Sequence, residues 1–149
     1  MRAIVKEVGE DAKDVLRDRA VASCALITEH DERQRNLVDV WRWIARGVRR
    51  SCEVQLCSGR PSYAATFNRD RHILTVYIDN APEALANPLG ARPLGLLIHE
   101  LAHWKEQEDE HGMGFHADSE SVGGAVAAFL LEHADEARER AGLKVGGGK

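Results

Sequence analysis

His99-Glu100-Leu101-Ala102-His103 is the segment with the clearest chemical potential in this sequence. Histidines four positions apart stand on one face of a helix, one turn apart, where both imidazoles can reach a single metal ion. Glu100 follows His99 and projects toward the same open side, in position to take a proton from a water activated at the metal. Zinc is the ion this arrangement suits, and a catalytic zinc takes three protein ligands, leaving its fourth position for water or substrate. The candidates for the third ligand are His111, His116, Asp109 and Glu120. Asp109 lies six residues after His103, a register that wants a glycine at position 106, where the chain has Glu106. Glu120 would stand on a later helix, one turn after His116.

The expected chemistry is hydrolysis of a peptide bond, with Glu100 accepting a proton as water attacks and later delivering it to the leaving amine. Tyr77 and His116 are the candidates for holding the oxyanion. The strand over residues 73–78 is the candidate for gripping an extended peptide by strand addition. The competing expectation is a non-catalytic module in which zinc only braces the fold and Arg42, Arg46, Arg49 and Arg50 bind nucleic acid. An intact Glu100 argues against it, because a purely structural metal site needs no general base.

These groups need elements to hold them. Leu37, Trp41, Ile44 and Val48 recur at helical spacing, giving a helical region from about residue 10 to 50 with a break near His30-Asp31; residues 11–27 are its less regular part. Cys52, Val54 and Leu56 alternate with polar neighbours, as in a half-buried strand. Ser58-Gly59-Arg60-Pro61 is a turn. Residues 63–67 and 73–78 are two further strands, joined by the hairpin loop Asn68-Arg69-Asp70-Arg71. A connection over 79–91 carries a helical turn near Glu83. Pro93 opens the helix that bears the two histidines, where its missing N–H costs nothing. That helix should end near Gly112. A last helix runs from about 115 to 141 on a stripe of Val122, Ala125, Val126, Phe129 and His133. Gly123 and Gly124 inside it suggest close approach to the histidine helix or the sheet. His30, His72 and His133 read as ordinary residues.

The chain has 149 residues, of which 44% are apolar and 30% charged, which fits one globular domain over residues 1–145 with a disordered tail at 146–149. A net charge of −4 gives no global field toward nucleic acid or an acidic membrane. No signal peptide or membrane span is recognisable, and three cysteines, an odd count, fit a reducing compartment; the expectation is a cytoplasmic protein. Cys52 and Cys57 have no second pair with which to form a zinc site and read as plain strand residues.

The run H-E-L-A-H-W followed, after a short loop, by H-G-M-G-F-H resembles the SprT-like zinc metalloproteases over roughly residues 37 to 130. The resemblance implies that His99 and His103 are ligands, that Glu100 is the catalytic base, that His111 is the third ligand and that Phe115 anchors its loop. The segment Asp-Ser-Glu-Ser-Val-Gly-Gly-Ala-Val over 118–126 is more similar to the ImmA/IrrE-like peptidases, in which a glutamate of the last helix completes the site, a role that would fall to Glu120. Either family implies an α+β, zincin-like domain: N-terminal helices, a three-stranded, mostly antiparallel sheet, the H-E-x-x-H helix and a C-terminal helix. The implied cofactor is Zn2+ and the implied partner a protein or peptide substrate.

Overall fold

The computed structural model describes residues 24–105 and 111–144. The expected helical segment over 11–27 falls mostly outside them, as do Asp109 and the 146–149 tail; within them, Ala25–Leu26 form a strand, β1. α1 spans Glu32–Gly47. It starts at a reciprocal cap, in which the Asp31 side chain accepts from the Gln34 N–H and the Gln34 side chain accepts from the Asp31 N–H, satisfying backbone donors that a helix start leaves unpaired. That cap is the physical form of the expected break at His30-Asp31. The apolar stripe then buries Leu37, Trp41 and Ile44 completely, with Val48 half-buried at the end.

β2 (Glu53–Ser58), β3 (Ala65–Asn68) and β4 (Ile73–Tyr77) follow, and with β1 they form one sheet in the order β1-β2-β4-β3. The expected sheet of three mostly antiparallel strands is therefore corrected to four strands in a mixed sheet. β3 and β4 are the expected antiparallel hairpin, with Phe67 opposite Leu74 and Ala65 opposite Val76. Its loop closes where the Asn68 side chain accepts from the Arg71 N–H at 3.0 Å and His72 takes a left-handed φ of 52°. β2 passes over the position next in sequence and pairs in parallel with β4, so β3 is left at the outer edge. The connection from β2 to β3 is tied down by the Asn80 amide, which donates to the carbonyls of Pro61 (2.7 Å) and Tyr63 (3.0 Å).

A 3₁₀ turn (Ile78–Asn80) and the short helix α2 (Pro82–Ala86) lead to α3 (Ala91–Leu101), which carries His99. α3 does not run on to Gly112. It closes at Leu101 into a 3₁₀ turn over Ala102–Trp104 and an extended Lys105. Two contacts explain the early end. Arg50 donates to the Leu101 carbonyl at 3.3 Å, and Trp104 is held by the His72 ring, stacked at 3.8 Å between centroids.

The expected last helix is two: α4 (Met113–Glu132) and α5 (Ala134–Arg140). The chain bends at His133, whose ring lies 4.6 Å from Phe129 and 5.9 Å from Trp43, while Arg140 on α5 reaches over the Trp43 ring and pairs with Asp39. Gly123 and Gly124 do not mark a close approach. A Cβ on Gly123 would make only ordinary contact with Ile98 at 3.8 Å, and one on Gly124 would meet nothing within 4 Å. The crowded glycine is Gly47 of α1, where a Cβ would fall 2.3 Å from the Phe129 ring; α1 and α4 approach closely there.

One face of the sheet (Val54, Leu56, Leu74, Val76) and the inner faces of α1, α3 and α4 share one core. No described helix is long and apolar enough to cross a membrane. Trp41 is fully buried and its indole N–H donates to the Pro88 carbonyl at 3.0 Å, pinning the segment that leads into α3. Trp41→Phe keeps most of the apolar contact and removes the donor. It should lower unfolding free energy by about 1–3 kcal/mol, the cost of a buried acceptor left unpaired, read as a shift of the urea midpoint at unchanged slope. An unshifted midpoint would show that the Pro88 carbonyl finds water instead.

Candidate metal centre

α3 and the 3₁₀ turn that follows it meet two demands together. Pro93, Leu97 and Leu101 of α3 face the core, while His99 on α3 and His103 in the turn, four positions on, fall on one side, with Glu100 between His99 and the buried face. The burial follows this order: Leu97 and Leu101 are inaccessible, Glu100 is 6% exposed and the two histidines are half-buried. The Glu100 Oε1 lies 4.0 Å from His99 Nε2.

His111 comes back to the same place from just before α4. Ring centroids are 5.1 Å apart for His99 and His103, 5.4 Å for His99 and His111, and 5.2 Å for His103 and His111. Phe115, 4% exposed, lies beneath all three, 5.0, 4.7 and 5.0 Å from the rings of His99, His103 and His111. It is an apolar contact shared by all three imidazoles. One nitrogen from each histidine lies within 4.8 Å of those of the other two. A tetrahedral ion with bonds of about 2.0–2.1 Å sets neighbouring nitrogens roughly 3.4 Å apart. The three rings thus need only a small inward movement to hold a metal ion, and the donor set fits one.

Burial, and next the neighbouring His111, push the His99 pKa below its usual value. Both effects favour the neutral imidazole, the form that binds metal.

Two of the other candidate ligands do not join this cluster, and the third, Asp109, lies outside the described residues. Glu120 and His116 are exposed on α4, and among the described residues the only group converging as metal ligands is His99, His103 and His111. Cys52 is buried outside it, its pKa pushed up to about 11 by burial, then by the Glu53 charge, with Arg42 opposing. It is a structural thiol, as the sequence suggested.

A cleft of about 360 Å³ opens over the cluster, with His99, Glu100 and His103 on one wall and Tyr63, Thr66, Phe67 and Arg69 on the other. The second wall is the edge strand β3. The strand over 73–78 is not the one beside the open cleft: β4 lies between β2 and β3, and both of its edges are already paired. Tyr77 also fails as an oxyanion donor. It is 7% exposed, packed edge-on against Tyr63 at 5.4 Å, and its place in the cleft is taken by Tyr63 itself. Neither Tyr63 nor Arg69 stands out in the sequence, since only the strand order reveals which strand borders the cleft. A larger cleft of about 550 Å³ between α4, α5 and residues 87–89 is lined mainly by aliphatic side chains and carries none of these groups.

Purified protein should bind one divalent metal ion per chain. His99→Ala, His103→Ala and His111→Ala should each lose stoichiometric metal, and Glu120→Ala should keep it, as read by elemental analysis after dialysis and by competition with a chromophoric chelator. Retention by His111→Ala together with loss by Glu120→Ala would reverse the assignment of the third ligand. No relative supplies the answer in advance, for no family model matches the chain, and no curated protein or solved structure matches it.

Proposed function

We propose that this protein is a zinc-dependent metallopeptidase of the SprT-like kind, hydrolysing peptide bonds in a protein or peptide substrate. The observation that carries the reading is the buried Glu100 carboxylate beside three converging imidazoles at the foot of a cleft whose opposite wall is a sheet edge left open among the described residues. Three imidazole donors suit zinc, and a bound zinc supplies Lewis-acid polarisation of the substrate carbonyl and acidifies water.

The remaining work falls to the protein's own side chains. Glu100 accepts the proton of the attacking water and passes it to the leaving amine nitrogen. Its burial keeps bulk water from competing for that proton. Tyr63 and Arg69, which line the cleft across from the histidines, are the candidate donors to the developing oxyanion.

The substrate backbone has a natural seat on β3. The Tyr77 N–H donates to the Ala64 carbonyl at 2.8 Å, and Thr66 pairs with Thr75. By the alternation of an antiparallel ladder, the peptide groups of Ala65 and Phe67 then point away from β4, along the edge that lines the cleft. An extended peptide can pair with them, with its scissile carbonyl carried past Glu100.

Two of the four arginines at the end of α1 have work inside the fold: Arg42 pairs with Glu53, and Arg50 holds the Leu101 carbonyl and Trp104. That leaves a smaller basic surface than the sequence suggests and favours a peptide over nucleic acid as the partner. A cytoplasmic setting is part of this proposal and rests on the odd count of three cysteines.

Glu100→Gln preserves shape and removes the base. It should retain metal at wild-type stoichiometry while cleavage of an unfolded protein substrate drops by a factor of about 100 or more. Chelation of the wild type should abolish cleavage and zinc should restore it. Equal cleavage by wild type and Glu100→Gln would remove the carboxylate from the reaction.

A further inference from the structure

A second cavity, of about 200 Å³, lies in the same trough between β3 and α3, on the side from which α3 enters. Its walls are Ala64, Ala81, Ala84, Pro93 and Leu96. Ala64 is the residue before the start of β3 and sits between Tyr63 and Ala65 of the histidine cleft; Leu96 stands one turn before His99 and Glu100 on α3. The two cavities are thus consecutive along the strand that would carry the substrate.

The alanines leave the room. An engineered apolar cavity of about 150 Å³ takes benzene, so this one has space for a leucine, methionine or phenylalanine side chain. Its polar lining is Asn80, Glu83 and Arg92. The Asn80 amide donates to the carbonyls of Pro61 and Tyr63, and Glu83 and Arg92 pair at 3.3 Å as exposed side chains on the rim. Against the alanine, proline and leucine walls an apolar guest gains burial, whereas a charged guest is desolvated.

We infer that this cavity is a specificity pocket that selects an apolar side chain of the substrate close to the scissile bond. This rests on the peptidase reading. The spacing sets which substrate residue enters. One turn of helix separates Leu96 from Glu100, about 5–6 Å along the axis, and an extended peptide advances about 3.3 Å per residue. The selected residue lies one or two positions from the bond that is cut.

The test uses the full metal-loaded chain and unstructured peptides that vary within two residues of one cleavage site. Cleavage is mapped by mass spectrometry. In parallel, fluorescein-labelled peptides are titrated into Glu100→Gln and followed by anisotropy. The wild type should prefer leucine, methionine or phenylalanine over aspartate or lysine at one of these positions by about tenfold or more in kcat/KM, with the same ranking in binding. Ala64→Leu fills the pocket and should lower the leucine-to-alanine ratio. Leu96→Ala enlarges it and should move the preference toward phenylalanine and tryptophan. If Ala64→Leu does not fold, by circular dichroism and metal content, Leu96→Ala carries the test alone. Active enzyme whose side-chain preference is untouched by the folded variants overturns the pocket and leaves the peptidase reading standing. Ranked binding to Glu100→Gln without any cleavage by wild type keeps the pocket and overturns the peptidase. Absence of both overturns both.

Discussion

The angular spacing of α3 is the constraint on which everything else depends. Its eleven residues must bury Pro93, Leu97 and Leu101 against the core and still present His99 to the outside, and the 3₁₀ turn that follows must add His103 on the same side. The boundary between those faces falls on Glu100, which is why a carboxylate ends up 6% exposed. That placement sets the carboxylate beside the His99 ring and away from bulk water. Burial and the neighbouring His111 both hold His99 toward its neutral form, the one that binds metal. Phe115 packs against all three rings and so ties His111 to the pair that the helix sets.

The supports of α3 come from distant parts of the chain. Trp41 on α1 fixes its approach through the Pro88 carbonyl, and Arg50 fixes its exit through the Leu101 carbonyl. Trp104, just past His103, stacks on His72 from the β3–β4 loop and lies near Phe67 of the edge strand at 5.8 Å. The two walls of the cleft are thereby joined at one end by aromatic rings.

Local features were legible in the sequence because local physics decides them. The H-E-L-A-H spacing, the α1 stripe from Leu37 to Val48, the break at Asp31 and the hairpin closed by Asn68 all rest on contacts within a few residues. What escaped the sequence was set by distant partners. β2 pairs in parallel with β4 because β3 takes the outer place, and no pattern within β2 encodes that order. α3 ends eleven residues before Gly112 because Arg50 and His72 capture its last turn. α4 and α5 part at His133 because Trp43 and Arg140 fix the far side. Tyr63 escaped for the same reason, since a tyrosine ahead of a strand carries no signal until the neighbouring helix is known. The glycine pair at 123–124 misled because sequence shows the missing side chain but not whether anything fills its place.

An unpaired strand beside a cleft is a seat for a guest and equally a seat for a copy of the same protein, the first contact in aggregation. β3 limits that risk by its size. Only four residues belong to it, and they offer the peptide groups of Ala65 and Phe67 before the chain turns into Asn68-Arg69-Asp70-Arg71. Charges of both signs follow at once, and a folded neighbour's strand, flanked by its own side chains and sheet, would have to press past them. A loose, unfolded segment meets no such obstacle. On the proposed peptidase reading, the shortness of one strand would act as a filter for foldedness, admitting chains that have lost their structure and turning away those that have kept it.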